Sequence, residues 1–152
     1  MSDNNMLVPF IHSMLTTIHF LSLHRLRALV SLLSFFASRQ DRPMTLLVST
    51  TGDTGPAAVQ AVSDINNPLL TILVHFPLGQ ISNFQRKQLT TVRSPCVKVA
   101  TFQGGGDDMD RPIKNLLKKQ QQDGPKLTGV NSYNIGRPLM QMVHYVRSRI
   151  CD

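Results

Sequence analysis

The segment with the residue types best suited to chemistry covers residues 49–56, which read Ser-Thr-Thr-Gly-Asp-Thr-Gly-Pro. It lies between an apolar run and a helical pattern, the position where open α/β sheets bind ligands. Amides at a helix N-terminus suit a carboxylate or a phosphate, and the hydroxyls of Ser49, Thr50 and Thr51 would bond to the same anion. Asp53 would orient a ligand hydroxyl or cap the helix. No Gly-Lys-Ser/Thr follows, which excludes a mononucleotide phosphate loop and leaves a purely structural cap and turn as the alternative.

A second polar segment is the triglycine at residues 104–106, which Asp107 and Asp108 follow. Together with Asp110 these aspartates have no neighbouring histidine to complete a transition-metal set, and hard cations need more oxygen ligands than three carboxylates supply. We therefore expect no metal site. The segment is interpreted as a flexible turn whose aspartates lie at the positive end of a helix.

The remaining reactive side chains do not form a recognisable set. His75 and His144 are far apart and have no carboxylate partner nearby in sequence, so no pair of nucleophile and base is predicted. Cys96 begins an apolar strand pattern and is expected to be buried. Cys96 and Cys151 are the two cysteines, which excludes a disulfide-stapled scaffold and a four-cysteine zinc site.

The charge of the chain is strongly basic. The sequence contains sixteen Lys and Arg residues and nine acidic residues, all of them Asp. Its net charge is therefore +7 and its pI is near 10.0. The absence of Glu removes every Glu general base and the Glu half of any capping box. Because no aromatic ladder accompanies the basic cluster, we interpret it as a solvated face and expect no nucleic acid partner. Its members are Arg111, Lys114, Lys118, Lys119 and Lys126.

From Met44 onward the pattern predicts alternating strands and helices. Apolar runs at 44–48, 70–74 and 97–100 are typical of buried strands. Helical stretches are predicted at 57–62, at about 82–91 with Ser82 as its N-cap, and after Gly106. A further helix is predicted at about 137–149, preceded by Asn and Ser residues at 131–134. Such alternation predicts right-handed crossovers and an open parallel α/β sheet, and 152 residues fit one such unit.

Residues 1–43 have a different character. Apolar side chains recur at three- and four-residue steps over 7–21 and 26–36, which predicts an apolar helical segment that needs a partner surface. A cleavable signal peptide is the alternative, although residues 2–5 are acidic and the Phe-Phe-Ala at 35–37 is a poor cleavage site. No run reaches the roughly 18 apolar residues of a transmembrane span. The compartment, cytoplasmic or secreted, stays open.

Several of these stretches together resemble the threonine synthase family. They are Val-Ser-Thr-Thr-Gly-Asp-Thr-Gly at 48–55, Phe-Pro-Leu-Gly-Gln-Ile-Ser at 76–82, Asn-Ser-Tyr-Asn-Ile-Gly-Arg at 131–137 and Gln-Met-Val-His-Tyr at 141–145. The resemblance implies a partial tryptophan-synthase-β-like fold, fold type II of the pyridoxal phosphate enzymes. It also implies pyridoxal phosphate as the cofactor and O-phospho amino acids as the substrates. We expect the family segment at 44–146, between a divergent segment 1–43 and a divergent tail 147–152.

The resemblance implies roles for residues of the first motif. The substrate carboxylate would bind to six residues, and Asp53 would lie near the 3′-hydroxyl of the cofactor. The six are Ser49, Thr50, Thr51, Gly52, Thr54 and Gly55.

This sequence also departs from the family pattern. The family's Schiff-base lysine precedes this motif, whereas no lysine precedes Ser49 here; the phosphate-binding glycine loop would follow the last motif. The resemblance therefore predicts an inactive, truncated product of a larger enzyme, from alternative splicing or a misassigned gene model, that does not bind the cofactor productively. Two alternatives remain. One is an active phospho-lyase that uses Lys87 or Lys98. The other is a secreted, cytokine-like protein that self-associates or binds a receptor through its charge and apolar helices.

Overall fold

The computed structural model describes residues 24–119, 124–130, 134–136, 138–139 and 142. Predictions on the first apolar run, the signal peptide, residues 131–133, most of the helix at about 137–149, His144, Cys151 and the tail 147–152 lie outside these residues. The elements are α1 (24–40), β1 (Met44–Ser49), α2 (Thr54–Ile65), β2 (Leu70–Pro77), α3 (Asn83–Thr90), β3 (Val97–Phe102), a 3-10 turn (Gly106–Asp108), α4 (Asp110–Lys118) and β4 (Lys126–Gly129).

The four strands form one parallel sheet in the order β3-β2-β1-β4. The predicted open parallel α/β sheet is therefore confirmed. β1 lies between two partners, since Leu46 pairs with Ile72 of β2 on one side and with Thr128 of β4 on the other. β4 is not predicted by the sequence pattern, because Lys-Leu-Thr-Gly contains one large apolar side chain and no apolar run. Its pairing with β1 makes it a strand.

The main core lies on one face of the sheet. Alternate residues of β1 and β2, among them Leu46, Val48 and Ile72, are fully buried in one cluster with Ala58 and Val59 of α2. Because the chain crosses back from β3 to β4, a right-handed connection is expected to carry α4 over the opposite face.

The packing on that opposite face agrees with this expectation. Leu47 is 2% exposed but does not belong to the main cluster, so it points to the opposite face. Ile113 of α4 is 3% exposed. α4 itself contacts β1 and β4. The sheet therefore carries helices on both faces, and β1 is covered on each of them.

The helix α1 packs into the main core. The predicted helical run at 26–36 is confirmed, and Leu26, Leu29 and Val30 belong to the core cluster. The amide of Asn67 ties α1 to the start of β2, since its Nδ2 donates to Ser34 Oγ at 2.8 Å. The outer face of α1 exposes Leu32, Phe35 and Phe36, so part of the predicted apolar segment is not covered by the described residues. No helix in the described ranges has the length and apolar character needed to cross a membrane.

The packing of α1 can be tested with two identical substitutions on one helix. Leu26→Ala should lower the free energy of unfolding by about 3 kcal/mol, because it leaves a cavity in place of a side chain that is 0% exposed. Leu32→Ala removes a side chain that is 40% exposed and should cost less than about 1 kcal/mol. Urea unfolding measures both values. Equal losses would contradict the docking of α1 on the sheet.

Candidate functional site

The sheet order creates a switch point at the carboxyl end of β1. From β1 the chain proceeds to β2 on one side, and β4 later returns to the other side. Open α/β sheets bind ligands outside the carboxyl ends of the strands at such a point. The residues that follow β1 are those singled out from sequence, and we call residues 49–55 the 49–55 turn.

Thr50 organises the turn from within. Its side chain is 2% exposed, and its Oγ1 accepts hydrogen bonds from the amides of Gly52 at 3.2 Å and Gly55 at 3.1 Å. The same hydroxyl donates to the Gly52 carbonyl at 2.9 Å. The Thr50 hydroxyl is thus used inside the turn, whereas Thr51 is exposed and Thr54 half-buried. These two hydroxyls are the ones best placed to reach a ligand.

Gly55 allows the start of α2 to approach the end of β1 closely. A Cβ atom at this position would lie 2.4 Å from Cγ2 of Thr50, far inside van der Waals contact. Gly52 has no such constraint, because a Cβ there would approach Nε2 of Gln85 at 4.0 Å. The second glycine of the motif is therefore a packing requirement.

Asp53 occupies the N-cap position of α2, yet its side chain makes no capping hydrogen bond. Its Oδ1 instead accepts a hydrogen bond from Gln85 Nε2 at 3.0 Å. Gln85 completes a capping box with the predicted N-cap Ser82, which is confirmed, since Ser82 N donates to Gln85 Oε1 at 3.1 Å. Gln85 thus takes the capping-box position that Glu can also fill. Its side-chain amide joins the start of α3 to the 49–55 turn.

Ser49 and His75 form a pair that the sequence did not predict. They are 26 residues apart but are direct neighbours in the β1–β2 register. The hydroxyl of Ser49 is hydrogen-bonded to His75 Nε2 and also donates to the Met109 carbonyl at 2.9 Å. The His75 ring packs on Phe102, with ring centroids 5.1 Å apart. An alignment of the two strands at their carboxyl ends is the signal that would have found this pair.

The surroundings of His75 favour its neutral form. Burial lowers the pKa of His75 below its ordinary value of 6.5. A hydrogen bond with the Met109 backbone and the nearby Asp110 carboxylate partly oppose that shift of the pKa. The imidazole is therefore neutral near pH 7.

The triglycine segment lies against the 49–55 turn. A Cβ atom on Gly106 would lie 3.7 Å from Cγ2 of Thr51, and Gln80 Nε2 donates to the Gly104 carbonyl at 3.2 Å. The two segments are about 50 residues apart in sequence, and the fold makes them neighbours. Within the described ranges, no group of three or more His, Cys, Asp or Glu side chains could hold a metal ion.

The other residues singled out from sequence lie away from the turn or serve local structure. Asn134 accepts from Gly136 N at 2.8 Å and donates to the Gly129 carbonyl, so it shapes the bend after β4. Cys96 is 8% exposed, which confirms that it is buried. The basic cluster is exposed throughout, at Arg111, Lys114, Lys118, Lys119 and Lys126.

Sequence comparison relates the chain to one group of proteins. No protein-family model matches it. Human threonine synthase-like 2 is 34% identical over 119 residues, which cover 74% of this chain and 23% of that protein. The Xenopus laevis protein is 35% identical over 75% of this chain and 24% of its own length, and Pseudomonas aeruginosa threonine synthase is 28% identical over 82% and 26%. The chain belongs to the threonine synthase family.

Solved structures agree with this membership of the threonine synthase family. The pyridoxal phosphate-bound threonine synthase of Brucella melitensis matches with a TM-score of 0.71 at 26% identity, over 84% of this chain and 27% of that one. The Escherichia coli threonine synthase matches with a TM-score of 0.69 at 28% identity, over 80% and 28%. The predicted fold type II architecture is confirmed. The chain spans about a quarter of the length of these relatives.

The close approach at Gly55 gives a testable prediction. Gly55→Ala should lower the free energy of unfolding by about 1–3 kcal/mol, because the new methyl group overlaps the Thr50 methyl group. Thr50→Ser removes that methyl group and keeps the hydroxyl. Adding Gly55→Ala to Thr50→Ser should therefore lower the free energy of unfolding by less than adding it to the wild type. Gly105→Ala is the matched control, since nothing lies within 4 Å of a Cβ there. Equal effects at the two glycines would contradict the packing argument.

The lowered pKa of His75 predicts a pH dependence of stability. In the unfolded chain His75 binds a proton near pH 6.5, whereas the folded chain binds it at lower pH. This contribution is therefore fully present above pH 6.5 and is lost as the pH falls through the folded pKa. Urea unfolding between about pH 7.5 and about pH 5.5 should show a smaller drop for His75→Gln than for the wild type. A drop of the same size in both proteins would contradict this assignment to His75.

Proposed function

We propose that the 49–55 turn binds the anionic end of an O-phospho amino acid, and that this chain does not by itself complete a catalytic site. One observation carries the proposal. The turn lies at the carboxyl end of the central strand, beside the switch point of the sheet, in a member of the threonine synthase family. The match to a pyridoxal phosphate-bound relative supports the class of chemistry.

The charges at the turn favour an amino acid over a simple polyanion. The start of α2 offers the positive end of a helix to a carboxylate or a phosphate. Asp53, held by Gln85, adds a negative charge within the same turn. An O-phospho amino acid carries an ammonium group beside its carboxylate, so it can complement both features, whereas an anion without an ammonium group would only be repelled by Asp53.

The residues present do not fit the covalent anchor of pyridoxal phosphate. All six lysines are exposed: Lys87, Lys98, Lys114, Lys118, Lys119 and Lys126. Lys98 and Lys126 lie at the amino ends of β3 and β4, the opposite end of the sheet from the turn. Lys87 comes two residues after Gln85 on α3, and residues so spaced point to different sides of a helix. We therefore assign this chain a ligand-orienting role and no bond-breaking step.

Self-association or binding to a receptor is a second candidate function, favoured by one observation. The outer face of α1 exposes Leu32, Phe35 and Phe36, and the rings of the two phenylalanines contact each other. Exposed apolar patches of this kind mark interaction surfaces. Self-association through this face would appear as a mass that rises with concentration in sedimentation measurements and falls after Phe35→Ser.

Ligand binding tests the proposed site directly. Calorimetric titration with O-phospho-L-serine should show saturable binding, and Thr51→Val or Thr54→Val should each weaken it about tenfold, because each removes a hydrogen bond to a charged group. Thr90→Val is the control at the far end of α3, where the hydroxyl donates to the Arg86 carbonyl. Absence of binding by the wild type, or equal weakening by the control, would overturn the proposal.

Cofactor trapping tests the second half of the proposal. Pyridoxal phosphate titration followed by borohydride reduction should label several exposed lysines weakly and none stoichiometrically. The absorbance of an internal aldimine should therefore not saturate at one equivalent. A single saturable adduct, mapped by peptide mass spectrometry to one lysine such as Lys87 or Lys98, would instead identify an active phospho-lyase.

A further inference from the structure

The side chains of Ser49 and His75 both meet the backbone of Met109. The Ser49 hydroxyl donates to the Met109 carbonyl at 2.9 Å. The His75 ring is hydrogen-bonded to Ser49 Oγ through Nε2 and also to the Met109 backbone. The result is a chain of hydrogen bonds that joins the ends of β1 and β2 to the residue that precedes α4.

The hydrogen bond from Ser49 to Met109 argues against a catalytic serine and base. In such a pair the hydroxyl donates to the imidazole, which accepts the proton when the oxygen attacks. Here the Ser49 proton points to a carbonyl that cannot accept it permanently, and the side chain is 5% exposed. Ser49 is therefore an unsuitable nucleophile.

Met109, at the end of this chain of hydrogen bonds, also closes the 3-10 turn that lies beside Thr51. Met109 N donates to the Gly106 carbonyl at 3.3 Å, which closes the 3-10 turn. Gly106 in turn lies beside the methyl group of Thr51, the residue that carries one of the two hydroxyls best placed to reach a ligand. Fixing the Met109 carbonyl thus fixes the distance between the triglycine segment and the 49–55 turn.

We propose that Ser49 and His75 are positioning residues, which hold the 104–109 segment against Thr51 and so shape the ligand crevice without touching the ligand. The proposal rests on the proposed function for the identity of the ligand. It changes the role expected for Ser49, which the family resemblance placed among the groups that bind the substrate carboxylate. The hydroxyl is committed to Met109, and the burial of Ser49 keeps it beneath the turn.

Two pairs of variants separate this role from general stability. His75→Gln places an amide N–H near the position of Nε2, whereas the shorter His75→Asn places it near Nδ1, so only the first preserves the hydrogen bond to Ser49. Ser49→Thr keeps the hydroxyl and Ser49→Ala removes it. The probes are amide hydrogen exchange in the full chain and its affinity for O-phospho-L-serine.

The exchange of two amides reports the state of the 104–109 segment. They belong to Asp108 and Met109, which donate to the carbonyls of Gly105 and Gly106. His75→Asn and Ser49→Ala should speed exchange at both by about tenfold or more, while the amide of Asn66, which donates to Val62 at the end of α2, stays unchanged. The same two variants should weaken ligand binding about tenfold, and His75→Gln and Ser49→Thr should restore both readouts.

Each outcome decides the proposal. Equal behaviour of His75→Gln and His75→Asn, or faster exchange without a change in affinity, would overturn it. Weaker binding by Ser49→Ala with unchanged exchange would make Ser49 a direct ligand contact and also overturn it. If the wild type binds no O-phospho-L-serine, the proposed function fails. In that case, unchanged exchange in His75→Asn and Ser49→Ala would also refute the chain of hydrogen bonds. Faster exchange in these variants would show that the chain is a structural link only, which refutes its role in ligand binding.

Discussion

Parallel pairing on both sides of β1 is the constraint on which the rest of the structure depends. With β2 and β4 as neighbours, and with helices on both faces, almost every side chain of β1 is buried, which explains the apolar run at 44–48. The carboxyl end of β1 then emerges at the middle of the sheet edge. The turn that follows is surrounded by the loops after β2 and β3, so these segments must be accommodated together.

Three contacts fix the 49–55 turn in that crowded position. Thr50 satisfies two amides of the turn from inside, and the missing side chain of Gly55 lets α2 begin at once. Gln85 joins Asp53 to the start of α3, and Ser49 with His75 reaches the start of α4. Each contact connects the turn to a different element. Contacts within the protein therefore hold the turn in place, and such order would lower the entropic cost of binding a ligand there.

The elements were predictable where one local pattern decides the structure. Apolar runs, turn residues and the Ser82 cap predict three strands and three helices of the α/β unit, because burial and capping act over a few residues. β4 escapes prediction, since its polar sequence becomes a strand through pairing with β1. The pairs Ser49–His75 and Asp53–Gln85 escape it for a related reason. Each joins residues at the ends of different elements, and strand register or helix packing brings them together, whereas the 49–55 turn itself is contiguous in sequence.

The polar side chains beside the 49–55 turn are hydrogen-bonded to other groups of the protein. The hydroxyl proton of Ser49 goes to a carbonyl, and His75 Nε2 is committed to Ser49. The Asp53 carboxylate accepts a hydrogen bond from the side-chain amide of Gln85, and an amide does not act as an acid near neutral pH. In enzymes that use an organic cofactor, the cofactor carries the difficult chemistry, and the protein binds and orients the substrate. Under the function that we propose, this chain, which spans about a quarter of the length of its relatives, takes the second of these roles.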